Sequence, residues 1–96
     1  MGKVTEKYDK SLKESLIDPV EAAEYINAAL EDGSQEVFMM ALKDVADARG
    51  ISQLARQSNL NRENLYRILS LKGNPKLTSL TSVLHSMGLK IAIEVE

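Results

Sequence analysis

Arg62, Glu63 and Arg67 are the residues of this 96-residue chain whose types and spacing are best suited to reading a chemical pattern. A guanidinium donates two parallel hydrogen bonds to a planar acceptor pair such as guanine O6 and N7, and a carboxylate accepts from an amino group such as cytosine N4. On a helix from Arg62 to about Ser70, Leu65, Ile68 and Leu69 share one side at i, i+3 and i+4, which leaves Glu63, Tyr66, Arg67 and Ser70 on the other. Asn64 and Tyr66 stand beside the three charged residues. Asn61, Lys72, Asn74 and Lys76 flank them with amides and ammonium groups, donors suited to holding phosphate oxygens and so to carrying affinity, not sequence choice. The same spacing also fits a plain solvated face with a Glu63–Arg67 pair at i,i+4, worth about 0.2–0.5 kcal/mol.

Charge is divided along the chain although its total is only −2. Between residues 14 and 47, Glu14, Asp18, Glu21, Glu24, Glu31, Asp32, Glu36, Asp44 and Asp47 face Lys43 alone. Between residues 54 and 76, Arg56, Arg62, Arg67, Lys72 and Lys76 face Glu63 alone. The second stretch suits phosphate; the first suits a basic partner or is the wet side of amphipathic helices. There is no cysteine and a single histidine, His85, so disulfides, thiolate metal sites and a histidine zinc site are excluded. Without a glycine-rich phosphate loop or a His–carboxylate spacing, no enzyme activity, cofactor or metal is expected. No run approaches the roughly 18 apolar residues of a membrane span, and residues 1–13 are too charged for a secretory signal, so a cytoplasmic protein with no membrane partner is expected.

The elements that must position the basic segment read as an all-α domain. Residues 1–17 form a polar, weakly ordered lead with few apolar anchors (Val4, Tyr8, Leu12, Leu16, Ile17) and at most a helical turn, and residues 18–96 make one domain. Asp18 and Pro19 start a helix, an N-cap carboxylate before a proline that loses no needed donor. It runs to about Glu31 with Val20, Ala23, Ile26 and Leu30 inward, and Gly33 ends it. A helix from about Gln35 to Arg49 is apolar around most of its circumference, with Met39 and Met40 in the core. Ile51–Ser58 is a short helix with Ser52 as a candidate cap, Asn59 suits a left-handed break, and Asn61 caps the next helix. Residues 71–76 form a loop, 78–87 a last helix, and Gly88 its left-handed end. Leu89, Ile91, Ile93 and Val95 then alternate with Lys90, Ala92, Glu94 and Glu96, the repeat of a half-buried strand over 89–95. Such a strand needs a ladder partner, from the lead or from a second subunit; pairing about a twofold axis would make these four apolar residues a homodimer interface.

Two short helices separated by a tight turn, the second with a basic outer face, form a helix-turn-helix. Leu54-Ala55, Asn59, Asn61, Leu65, Ile68, the Gly73-Asn74-Pro75 loop and Met87-Gly88-Leu89 resemble the Cro/cI-type (XRE, lambda repressor-like) DNA-binding module. From about residue 16 to 95 the chain resembles the addiction-module antidote proteins. The likeness runs through Leu16-Ile17-Asp18-Pro19, Ala22–Gly33, Ala41–Gly50, Leu54-Ala55-Arg56, Glu63–Ser70 and Gly73-Asn74-Pro75. That resemblance implies a five-helix Cro/cI-like domain with the C-terminal strand, acting as a HigA-like antitoxin. Such a protein binds a RelE/HigB-like toxin to silence it and binds operator DNA in the major groove to repress its own operon. It also implies that Arg62, Glu63 and Arg67 face base edges, with Gln53, Asn61, Asn64, Tyr66, Lys72, Asn74 and Lys76 completing the DNA-contacting set. Ile51 stands where many related repressors have a phosphate-binding glutamine, and Asn59 where they have glycine. The competing expectation is an interaction module that neutralises toxin without specific DNA binding.

Overall fold

The computed structural model describes residues 10–96, whose regular structure is entirely helical. Six helices follow one another: α1 over residues 10–16, α2 Pro19–Asp32, α3 Gln35–Arg49, α4 Ile51–Ser58, α5 Arg62–Ile68 and α6 Leu77–Ser86. The helix beyond the five expected is α1, which lies in the polar lead, where residues 10–16 make about two turns and bury Leu16 to 1% exposure. Leu12 packs beside it against the common core. Two anchors at i, i+4 are enough to seat a helix on a neighbour but too few to show a period in the sequence. Residues 1–9 of that lead, with Val4 and Tyr8, lie outside the described residues.

Local signals set the boundaries of α2 and α3. The Asp18 carboxylate accepts from Val20 N at 3.0 Å, and Gly33 closes α2 at φ 83°, its N–H donating to Leu30 O. Ser34 caps α3 through Val37 N. The buried side of α2 is Ala22, Ile26 and Ala29, whereas Val20 and Leu30, expected inside, are 65% and 55% exposed. The buried stripe is centred on Ala22, Ile26 and Ala29, and Val20 and Leu30 lie outside it. Tyr25 ties α2 to α3, its hydroxyl donating to the Asp44 carboxylate at 2.6 Å. In α3, Met39, Ala41, Leu42, Val45 and Ala46 are buried; Met40, also expected in the core, is 49% exposed because it faces away from that stripe.

The core runs from Leu16 through α3 to Leu54 of α4, Leu65, Ile68 and Leu69 of the α5 segment, and Val83, Leu84 and Met87 at the end of α6. α4 packs against α3, α5 and α6, so this short helix is held from three sides. Arg49, at the C-terminal end of α3, donates to Met87 O at 3.1 Å and joins α3 to the last turn of α6. Ser52 does not cap α4: the N-cap is Gly50 at φ 95°, and no side chain closes that end. α5 ends at Ile68, two residues short of the expected Ser70, because the backbone at Leu69 and Ser70 turns into the following loop.

The strand expected over 89–95 is not formed: among the described residues there is no strand. A strand exists only by its ladder of inter-strand hydrogen bonds. Within the described chain, every segment that could have supplied a partner, including residues 10–16 of the lead, is helical or a short turn. Leu89 is half buried, but Ile91, Ile93 and Val95 are 45%, 92% and 104% exposed.

Candidate nucleic-acid interface

The basic segment is built on two short helices joined by residues 59–61. α4 ends at Asn59, which takes the left-handed conformation at φ 60°, ψ 19°. It is the only non-glycine described residue with positive φ, and an amide side chain tolerates that backbone better than most. Ser58, buried to 9%, anchors the turn twice: its hydroxyl accepts from Leu60 N at 3.3 Å, and its carbonyl accepts from the Ser82 hydroxyl of α6 at 3.3 Å. The Asn61 side chain then accepts from Asn64 N at 2.7 Å and caps α5. A seven-residue helix is too short to persist by itself. The cap at one end and the burial of Leu65 and Ile68 hold it in place.

With its apolar side so fixed, α5 presents Arg62, Glu63, Tyr66 and Arg67 to solvent. Arg67 does not pair with Glu63 as a solvated face would allow. Its Nη2 donates to Asn64 Oδ1 at 2.6 Å. Asn64 thus donates its backbone N–H to the Asn61 cap and orients a guanidinium through its side chain. Among the described residues no carboxylate pairs with Arg67, and its guanidinium retains donors for an incoming acceptor.

Beside α5 runs an open groove of about 400 Å³, lined by Asn64, Arg67, Asn74 and Lys76 together with Leu60 and Ser79. Four residues expected to bind nucleic acid are therefore brought together at one place. Tyr66 and Lys72 lie on the other flank, lining a separate depression with Lys43 and Asp47. Gln53 and Arg62 are exposed, Gln53 on α4 and Arg62 at the start of α5, and neither lines these two grooves.

The loop carrying Asn74 and Lys76 is tightly held. Gly73 N donates to Ser70 O at 2.8 Å, and Gln35 Nε2 of α3 donates to Gly73 O at 2.9 Å. A Cβ on Gly73 would lie 2.9 Å from Ser70 O and 3.3 Å from Arg67 O and Ile68 O, so only glycine lets the loop close against the end of α5. Gln35 escaped sequence reasoning because it acts across 38 positions, and nothing local marks it as more than the first residue of a helix.

The fold and the site together define a small helical domain that displays one short, capped helix as a cationic surface, beside an acidic pair of longer helices. Comparison with known proteins places it in a family: the family model described as probable addiction module antidote protein matches residues 5–95. The chain belongs to that family. An uncharacterized protein of Haemophilus influenzae is 34% identical over 86 residues, which cover 90% of this chain and 89% of that relative. No solved structure matches the chain significantly. The function thereby defined is that of the antidote of an addiction module, the counterpart of a toxin. Among the described residues, no helix is long and apolar enough to cross a membrane, and no cluster of His, Cys, Asp or Glu could hold a metal ion.

Proposed function

We propose that this antidote is a HigA-like antitoxin of Cro/cI (XRE) type, a non-catalytic cytoplasmic protein that binds a RelE/HigB-like toxin directly and represses its own operon by sequence-specific binding to operator DNA. The observation that carries the DNA-binding role is the Asn61–Asn64–Arg67 arrangement. One amide caps α5, the next accepts from Arg67 at 2.6 Å, and the guanidinium opens onto a groove shared with Asn74 and Lys76. α5 is the element that would enter the major groove. Arg62, Glu63 and Arg67 would read base edges, and Gln53, Asn61, Asn74 and Lys76 would hold the backbone. The toxin would be met by the acidic half, where charge complementarity to an RNA-handling, basic protein speeds encounter. The DNA-binding form is a homodimer joined through residues 89–95, since two half-sites require two copies of α5.

The test is titration of the protein into a duplex from its own upstream region and into a scrambled duplex, each at two salt concentrations. A preference of about a thousandfold or more for the native duplex supports specific repression. Arg67→Ala should then weaken operator binding by about 1–3 kcal/mol while leaving toxin binding intact. Equal, weak binding to both duplexes would favour the alternative, a toxin-neutralising module that does not read DNA, a role consistent with the overall charge of −2.

A further inference from the structure

The segment after α6 starts against its own domain and becomes exposed towards its end. Gly88, at φ 77°, turns the backbone out of the helix, and Leu89 N donates to Leu84 O at 2.9 Å, which pins the start of the tail. Beyond it the apolar series runs into solvent, with Ile91 at 45%, Ile93 at 92% and Val95 at 104% exposure. Beside the pinned start lies an apolar groove of about 290 Å³, walled by Ile26 and Leu30 of α2, Phe38 of α3, Leu84 of α6, and Leu89 and Ile91 of the tail itself. Among the described residues, nothing fills this apolar groove and nothing covers Ile93 and Val95.

We infer that each groove is closed by Ile93 and Val95 of a second copy, the two tails pairing antiparallel about a twofold axis that passes through Ala92. This rests on the homodimer proposed above and adds its register and its receptor. In an antiparallel pair, residues directly opposite share a face. With Ala92 opposite itself, Ile91 meets Ile93 and Leu89 meets Val95, so all four apolar positions find apolar partners, while Lys90 meets Glu94 on the other face, twice by symmetry. A slip of one residue would set every apolar side chain opposite a polar-face residue, Leu89 against Glu94 and Ile93 against Lys90. Placing Ile91 opposite itself would set Val95 against Met87, which is already fully buried. Placing Ile93 opposite itself sets Ala92 against Glu94 and leaves the two Ile93 side chains to meet each other away from the groove. Leu89, Lys90, Ile91 and Ala92 of the tail all line the groove, and only the Ala92 register puts Ile93 and Val95 of the second copy beside Ile91 and Leu89, its two large apolar tail residues.

The absence of native cysteine makes the register measurable. Light scattering of the native chain should give twice 10.6 kDa. Mild oxidation should cross-link Ala92→Cys to a dimer severalfold faster than Ile93→Cys. Lys90→Glu and Glu94→Lys should each weaken the dimer severalfold, and the two together should restore it. These positions lie outside every helix, and circular dichroism should show unchanged helix content. A native chain that stays monomeric overturns both the dimer and its register. A dimer in which Ile93→Cys cross-links faster, or in which the charge swap fails to restore association, overturns the register alone. Operator titration of the same samples reports on DNA binding separately.

Discussion

Gly73→Ala is the substitution whose sign the structure decides. The φ of Gly73 is not positive, so alanine is compatible with its backbone. Where there is room, replacing such a glycine stabilises a protein by about 0.4–1 kcal/mol, because the unfolded chain loses freedom. Here there is none. The new Cβ would lie 2.9 Å from Ser70 O, inside ordinary contact distance, and 3.3 Å from Arg67 O and Ile68 O. All three are backbone atoms at the end of α5 and cannot swing aside as a side-chain tip would. Displacing Ser70 O also lengthens the 2.8 Å bond from Gly73 N, and shifting Gly73 disturbs the 2.9 Å bond from Gln35. Overpacking of this kind costs about 1–3 kcal/mol, and a lost hydrogen bond about 1 kcal/mol net. The combined cost therefore exceeds the entropic gain, leaving a net destabilisation of about 1–3 kcal/mol. At about 4–8 °C per kcal/mol for a domain of this size, the thermal midpoint should fall by roughly 4–24 °C in a circular dichroism melt. Operator affinity should fall with it, because the same loop holds Asn74 and Lys76 beside Arg67. An unchanged or raised midpoint would refute the close packing of this loop against α5.

Asn61→Ala should cost about 1 kcal/mol by removing the cap on α5, read as a lower urea midpoint with an unchanged m-value, whereas Asn61→Asp should retain most of the stability. Lys76→Ala should lower affinity for native and scrambled duplexes alike and reduce the slope of log K against log salt by about 1; a loss confined to the native duplex would make Lys76 a base-reading residue instead. Leu42→Ala, at a site with no exposure, should cost about 2–5 kcal/mol, a large part of the total stability expected for a chain of this length, and both operator and toxin binding should fail together at 37 °C.

Most features whose cause lies within a turn or two of the residue concerned were legible in the sequence, although Ser52 leaves α4 uncapped and α5 stops short of Ser70. Asp18-Pro19 and Gly33 bound α2, Asn59 takes the left-handed break, Asn61 caps α5, and Gly88 ends α6, because capping and positive φ are decided by the side chain on the spot. The family likeness was legible for the same reason, resting on runs of neighbouring residues. What depended on packing at a distance was not legible. Where α2 meets the rest of the domain, not the period alone, decides that Ala22, Ile26 and Ala29 are buried and that Val20 and Leu30 stay outside. Glu63 and Asn64 are both within reach of Arg67 on a helix, and only the folded geometry chooses Asn64. Gln35 meets Gly73 only after α3 and the loop after α5 have been brought together. The alternation in 89–95 identifies a segment competent to be a strand, but a strand also needs a neighbour, and the described chain holds none. Local chemistry thus set the elements and their ends, whereas the faces they bury and the company their side chains keep were decided by tertiary contact, which no single stretch of sequence contains.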